Sequence, residues 1–376
     1  MIYFQTPQLT LHQGDCLEIL RQIPDNSIDC CVTSPPYHLQ RDYETAQWLG
    51  GDPNCDHVAN PNATKTFGNP EFNENRPSRS ATKTPGYYAD ICPKCGAEKV
   101  DYQVGIEPTV HAYIDKLQTI FREVYRVLKP TGTCWVNLGD SFSGSGKGAT
   151  NKVTNQKEVY VPNTDSPHVK VKDFSIPNKS LCLIPQRFAL AALESGWIIR
   201  NEVIWSKAAP MPTSKKDAMT VAHETIWFMV KSPKYFYDYE AVKEPCARKY
   251  EDGPGYGGLA NRKNQKYSVV GNMGSGPNAK VSPDGNRNLW DVWHLSPDPV
   301  PDAHFACYPR EIPKRAILAG CPPDGVVLDP FTGSGTTLMV AKDLGRRAVG
   351  IELNPNYCAI AQKRCNQLTI FQELIA

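Results

Sequence analysis

Apolar and polar positions along the chain follow two periods. In Ala112–Leu128 (AYIDKLQTIFREVYRVL) the apolar residues recur every third or fourth position. This spacing predicts a helix stopped by Lys129-Pro130-Thr131-Gly132. Helices are likewise predicted over 185–194, 336–344 and 355–367. Short, nearly unbroken apolar runs predict buried strands at Ile28–Thr33 (IDCCVT), 133–138, 197–205, 223–230, 325–329 and 348–352. Strands separated by helices predict an α/β fold with a mostly parallel sheet covered on both faces. Trp197, Trp205 and Trp227 fall inside the apolar runs and read as core.

Three polar stretches interrupt this alternation. Residues 50–104 are rich in Asn, Pro, Thr and Gly. Residues 141–180 carry six Lys against three acids, and 246–290 hold eight Gly and seven Lys or Arg against three acids. These read as insertions or loops on the α/β core. The expected organisation is a catalytic core over 1–49, 105–245 and 300–376, an insert over 50–104 and a separate region over 246–299.

The chain has 376 residues, of which 40% are hydrophobic and 21% charged, which excludes a wholly disordered protein. No apolar run reaches the roughly 20 residues of a membrane span. The first residues lack the pattern of a secretory signal, so the expected location is the cytoplasm. The net charge is only +2, so a nucleic-acid surface has to be local. Thirteen cysteines argue against a disulfide framework in such a chain. Cys16, Cys30, Cys134, Cys182, Cys307 and Cys358 lie in apolar context and read as buried thiols.

Thr33-Ser34-Pro35-Pro36-Tyr37 follows directly on a predicted buried strand. Two prolines stiffen the backbone at the strand's carboxyl end, where open α/β sheets bind ligands. Ser34 and the Pro35 carbonyl become fixed acceptors beside the flat face of Tyr37. Such a set suits a planar group with an exocyclic amine, which donates two hydrogen bonds while its ring stacks. Acceptors placed around the amine also stabilise the positive charge that develops on nitrogen when it attacks.

Val326 to Thr337 (VVLDPFTGSGTT) reads as strand, Gly-rich turn and helix start, and Glu352 ends the next strand 17 residues after Gly335. Glycines let the backbone approach a ligand, and the downstream acid can bind ribose hydroxyls, as in nucleoside-binding βαβ units. The stretch is neither Gly-x-Gly-x-x-Gly nor a Walker loop.

These two motifs, in this order, resemble the permuted β group of DNA amino-methyltransferases that use S-adenosylmethionine. Phe331-Thr332-Gly333-Ser334-Gly335 is similar to the family's cofactor loop, and Glu352 to its ribose-binding acid. Leu11-His12-Gln13-Gly14-Asp15-Cys16 resembles the strand end whose acid contacts the adenine amine. The segment from His304 and Phe305 to Tyr308 and Pro309 resembles the one packed over the methionine end. Arg200–Trp205 resembles a strand near the target base, and Asn288–Trp293 is a further familiar feature.

The resemblance implies a Rossmann-like, seven-stranded methyltransferase fold. It implies Ser34, Pro35, Pro36 and Tyr37 as catalytic residues. The implied cofactor contacts are Asp15, Cys16, Thr33, Phe305, Asp329, Phe331, Gly333, Ser334, Gly335, Thr336 and Glu352. Ser34 points to N4 of cytosine, because enzymes acting on N6 of adenine usually carry Asp there. Protein amide methylases usually carry Asn. Double-stranded DNA is the implied partner, with a cognate restriction endonuclease as a further one, and the chain is expected as a monomer or homodimer. A rival from another class is a zinc-dependent DNA-binding protein with an inactive methylase core.

Cys92-Pro93-Lys94-Cys95-Gly96 has metal-ligand spacing, and Cys55-Asp56-His57 lies upstream. Together they supply three sulfurs and one nitrogen, the donor set of a closed structural zinc site. His111, at a helix start, is a less suitable fourth ligand. Lys207, Lys215 and Lys216 read either as a solvated loop or as phosphate contacts. The basic residues of 246–290 read as a candidate target-recognition region or a linker. His223 and Glu224 read as strand residues rather than a metal pair.

Overall fold

The structure, a computed structural model, describes residues 1–39, 43, 45–57, 90–143, 176–210, 212–213, 216–245, 286–296 and 308–366. The main sheet has nine strands, numbered here in chain order: β1 (Ile2–Gln5), β2 (Leu9–Gln13), β3 (Ile28–Thr33), β4 (Leu128–Leu138), β5 (Ile198–Lys207), β6 (His223–Val230), β7 (Val292–Leu295), β8 (Val326–Asp329) and β9 (Arg347–Glu352). Their spatial order is β1-β2-β9-β8-β3-β4-β6-β5-β7. Only β1 and β6 run against the rest. The sheet is therefore mostly parallel. Seven central strands form the expected sheet, and β1 and β7 extend its two edges.

The helices are α1 (Cys16–Leu20), α2 (Val110–Val127), α3 (Ile184–Glu194), α4 (Glu311–Gly320), α5 (Thr336–Asp343) and α6 (Pro355–Asn366). α1, α2 and α3 pack in one row, and α4, α5 and α6 in another, covering the two faces. In α2, Val110, Tyr113, Ile114, Leu117, Phe121 and Val124 form the buried stripe that the periodicity predicts. Thr109 caps its first turn through the Ala112 N–H at 3.1 Å. Lys129-Pro130-Thr131-Gly132 does end α2, but it opens no separate loop. β4 begins at once at Leu128, and a register shift between Ile28 and Cys30 of β3 absorbs the extra residues as a bulge.

Trp197, Trp205 and Trp227 are buried, as are Cys16, Cys30, Cys134, Cys182 and Cys358. Cys307 lies outside the described residues. Residues 47–49, 90–91 and 98–100 pair as a small antiparallel sheet within the insert. A second compact unit, Asp238–Trp290, contains the short pairing of 244–245 with 286–287. Most of the basic 246–290 stretch lies outside the described residues, as does Lys215. No helix among the described residues is long and apolar enough to cross a membrane.

Candidate active site

β3 and β8 lie side by side, with Cys30 and Cys31 opposite Val327 and Leu328. Their carboxyl ends therefore meet. The Thr33 hydroxyl donates to Asp329 Oδ1 at 2.7 Å, joining residues 296 positions apart. Ser34-Pro35-Pro36-Tyr37 begins at the next residue, so the two motifs line one cleft. The chain leaves β8 toward β9 on one side and β3 toward β4 on the other. This is a switch point, where the ends of parallel strands leave a crevice.

Two buried acids organise the Gly-rich side. Asp329 accepts from Thr33, from the Phe331 N–H at 3.1 Å and from the Thr337 hydroxyl at 2.5 Å. Glu352 accepts from the Gly333 N–H and the Asn354 N–H, both at 2.8 Å. A carboxylate offers about four acceptor positions. Asp329 thus spends three on tying β3, β8 and α5 together, whereas Glu352 keeps two for a ligand. Neither acid has an ion pair among the described residues. Burial pushes Asp329 up to about 6, against the opposing pull of Thr337, Thr33 and the Phe331 N–H. Burial pushes Glu352 up to about 7, opposed by its two backbone donors. Buried acids without cations suit a ligand that brings positive charge and hydroxyl donors.

The remaining sequence-predicted cofactor residues divide. Asp15 caps α1 through the Glu18 N–H and follows β2, whose Gln13 pairs with Glu352. Cys16 is packed into the core, which leaves Asp15 as the polar group at that strand end. Gly335 adopts φ 85°, and a Cβ there would lie 2.9 Å from the Ala361 Cβ, so this position requires glycine. The hydroxyls of Ser334 and Thr336 turn to the buried Arg364 guanidinium, at 2.5 and 3.2 Å, so these two side chains hold the loop to α6. Phe305 and the rest of the His304–Cys307 segment lie outside the described residues.

On the other side of the cleft, the Tyr113 hydroxyl donates to the Pro36 carbonyl at 2.8 Å and holds the Pro-Pro step. The Tyr37 ring lies against Gly139, where an added Cβ would come within 2.6 Å of it. Its hydroxyl donates to Glu224 Oε2 at 2.5 Å and accepts from Asn137 Nδ2 at 2.8 Å. Burial, and then the Glu224 carboxylate, push the phenol well above its ordinary pKa, so Tyr37 remains a donor. Lys207 is the last residue of β5, not part of a loop, and pairs with Glu224 at 2.6 Å.

The insert brings Cys55, His57, Cys92 and Cys95 together, with all four donor atoms within 4.8 Å of one another. Cys55 and Cys92 sulfurs are 3.9 Å apart, and Cys95 Sγ is 3.3 Å from His57 Nδ1. A tetrahedral zinc ion with ordinary bond lengths requires roughly 3.8 Å between sulfurs and about 3.5 Å between sulfur and nitrogen. The donor set fits. Gly96, at φ 76°, closes the Cys92–Cys95 turn.

Asn137, Arg364 and Tyr113 carried no motif in the sequence, and Glu224 read only as a strand residue. Each serves the cleft through a partner distant in sequence. Residues 28–363 match the family described as DNA methylase, of the N6/N4 type. The chain belongs to this family. Among its relatives are the type II methyltransferase M.Cfr9I of Citrobacter freundii, 32% identical over 94% of this chain and 87% of that protein, and M.SmaI of Serratia marcescens, 30% identical over 93% and 88%. The solved PvuII DNA methyltransferase (cytosine-N4-specific) superposes with a TM-score of 0.55 at 17% identity, covering all of this chain and 92% of that one. This likeness agrees with the family's α/β fold. In this DNA methylase the matched span takes in both strand ends of the cleft.

Proposed function

We propose that the chain transfers a methyl group from S-adenosylmethionine to the exocyclic N4 amine of a cytosine flipped out of double-stranded DNA. The observation that carries this reading is the Thr33–Asp329 hydrogen bond, which sets the Ser34–Tyr37 motif beside the Gly-rich bend. S-adenosylmethionine, when bound, supplies a methyl group on a positively charged sulfur. Glu352 accepts from its ribose hydroxyls, Asp15 from its adenine amine, and Asp329 supports the loop that faces its charged end. Ser34 Oγ and the Pro35 carbonyl accept from the target amine, and Tyr37 stacks on the base. With the amine held by Ser34 and Pro35, its lone pair would form the N–C bond as the S–C bond breaks, the sulfur leaving as a neutral thioether and one amine proton passing to solvent. In-line alignment supplies much of the rate. An amine within a stacked duplex is out of reach of such a cleft, which is why the base has to flip.

Ser34, rather than Asp, supports cytosine over adenine. Digesting DNA methylated by the pure protein to nucleosides and identifying the product by mass tests this. N4-methylcytidine is expected, and N6-methyladenosine alone would refute the preference. The three sulfurs and one imidazole of the insert support a structural zinc ion with all four positions filled. The basic 246–299 region is proposed to contact the target sequence, and a restriction endonuclease of the same specificity is the proposed biological companion.

Cofactor affinity is expected to rise with pH. Glu352 has to be ionised to accept from ribose, so binding releases a proton below about pH 7. Calorimetry should show affinity at pH 5.5 weaker than at pH 8 by about thirtyfold, or more if Asp329 adds to it. A flat profile would exclude the assignment. Without ligand the sign is opposite. Both acids are raised, so their contribution to stability is present below their unfolded values and is lost as pH rises through about 6 and 7.

A further inference from the structure

The cleft contains a hydrogen-bonded chain that starts outside the Ser34–Tyr37 motif. Glu224, on β6, divides its carboxylate: Oε1 takes Lys207 and Oε2 takes the Tyr37 hydroxyl. Asn137, on β4, lies between them. Its Nδ2 is 2.8 Å from Tyr37 Oη, 3.0 Å from Glu224 Oε2 and 3.5 Å from Ser34 Oγ. Turning this amide over would set its oxygen against a carboxylate oxygen, so the nitrogen faces the acid.

An amide nitrogen has two protons, and the two shorter contacts use both. Ser34 Oγ is left without a donor from Asn137. Ser34 Oγ and the Tyr37 hydroxyl lie against the same Asn137 nitrogen, at 3.5 and 2.8 Å. A Ser34 proton directed to the phenol oxygen completes the order Ser34 to Tyr37 to Glu224, with Lys207 anchoring the far end. Each donor in such a chain strengthens the acceptor behind it, so Ser34 Oγ presents its lone pairs to whatever enters the cleft. Asn137 is 3% exposed, and its Oδ1 has no hydrogen-bond partner among the described residues.

We propose that Glu224 is a positioning residue for methyl transfer: acting through the Tyr37 hydroxyl, it fixes the aromatic ring and orients Ser34 as an acceptor for the target amine. The proposal rests on the reading of Ser34–Tyr37 as the amine site. Lys207 holds Glu224 in place, which gives this lysine a task inside the cleft rather than on DNA phosphate.

The test uses the full chain and a DNA substrate carrying its target sequence. Single-turnover transfer rates and cofactor affinity are measured for wild type, Glu224→Gln, Glu224→Ala, Tyr37→Phe and the double variant Tyr37→Phe/Glu224→Ala. Glu224→Ala should slow transfer about tenfold with cofactor affinity unchanged, the size expected for one buried hydrogen bond to a charged group. Glu224→Gln retains an oxygen to accept from the phenol and should recover most of the rate. The double variant should be no slower than the slower single one, because both changes remove the same link. Additive losses, or an equal fall in cofactor affinity, would overturn the proposal. So would full activity of Glu224→Ala beside an active wild type, which leaves the amine-site reading intact. A wild-type chain that binds cofactor but methylates no amine in its target DNA would overturn both.

Discussion

Ser34→Ala is expected to lower kcat about a hundredfold while cofactor affinity stays within about twofold, a loss of roughly 2.7 kcal/mol confined to the transition state. The division follows from the geometry of adjacent residues. Thr33 Oγ1 is committed to Asp329, on the cofactor side. Ser34 stands on the Tyr37 and Asn137 side, and among the described residues its hydroxyl makes no hydrogen bond to the Gly-rich bend. Removing its hydroxyl therefore takes an acceptor from the amine and leaves the cofactor loop in place. Thr33→Val should show the mirror image, with weaker cofactor binding and a smaller fall in kcat. Equal losses of kcat and affinity in Ser34→Ala would make Ser34 a support of the fold alone.

Cys92→Ser is expected to take the zinc content of the pure protein from one ion per chain to none, read by elemental analysis. The insert's small sheet has strands of only three, two and three residues. Among the described residues of 50–104 the buried apolar side chains are Cys92, Ala97, Val100 and Val104, of which Val104 belongs to the main core, too few to order the insert alone. The metal would supply the ordering, with apparent binding on the order of 10 kcal/mol for structural zinc sites. Chelation should accordingly expose the 50–104 region to proteolysis while the main sheet survives. Unchanged metal content in Cys92→Ser would refute the assignment.

Long runs with one clear period were legible in the sequence. α2, α3, β3, β6 and β9 lie within two residues of the spans that periodicity predicts, because each buries a continuous stripe or run. Short or mixed elements were not. α1 has five residues, too few to display a helical period. α4 carries Pro313, which reads as a breaker but lies in the first turn, where no intrahelical N–H bond is lost. β1 and β7 are edge strands with partly exposed residues, so their apolar signal is weak.

The candidate site divides along the same line. Pro-Pro after a buried strand, Gly-x-Gly after another, an acid at the end of the next and Cys-x-x-Cys are local patterns. Their backbone and donor chemistry is present in a few consecutive residues, so the sequence alone determined the type of fold, the candidate cofactor loop and the four metal-ligand candidates. Tertiary structure decided which distant groups meet there. Sheet order sets β3 between β8 and β4, which brings Thr33 to Asp329 and Asn137 to Tyr37. Strand pairing sets Glu224 opposite Trp205 on β5, two residues from its ion partner Lys207, and turns it toward the Tyr37 hydroxyl. A hydrogen bond across a sheet depends on neighbour and register, and neither is encoded within any one strand.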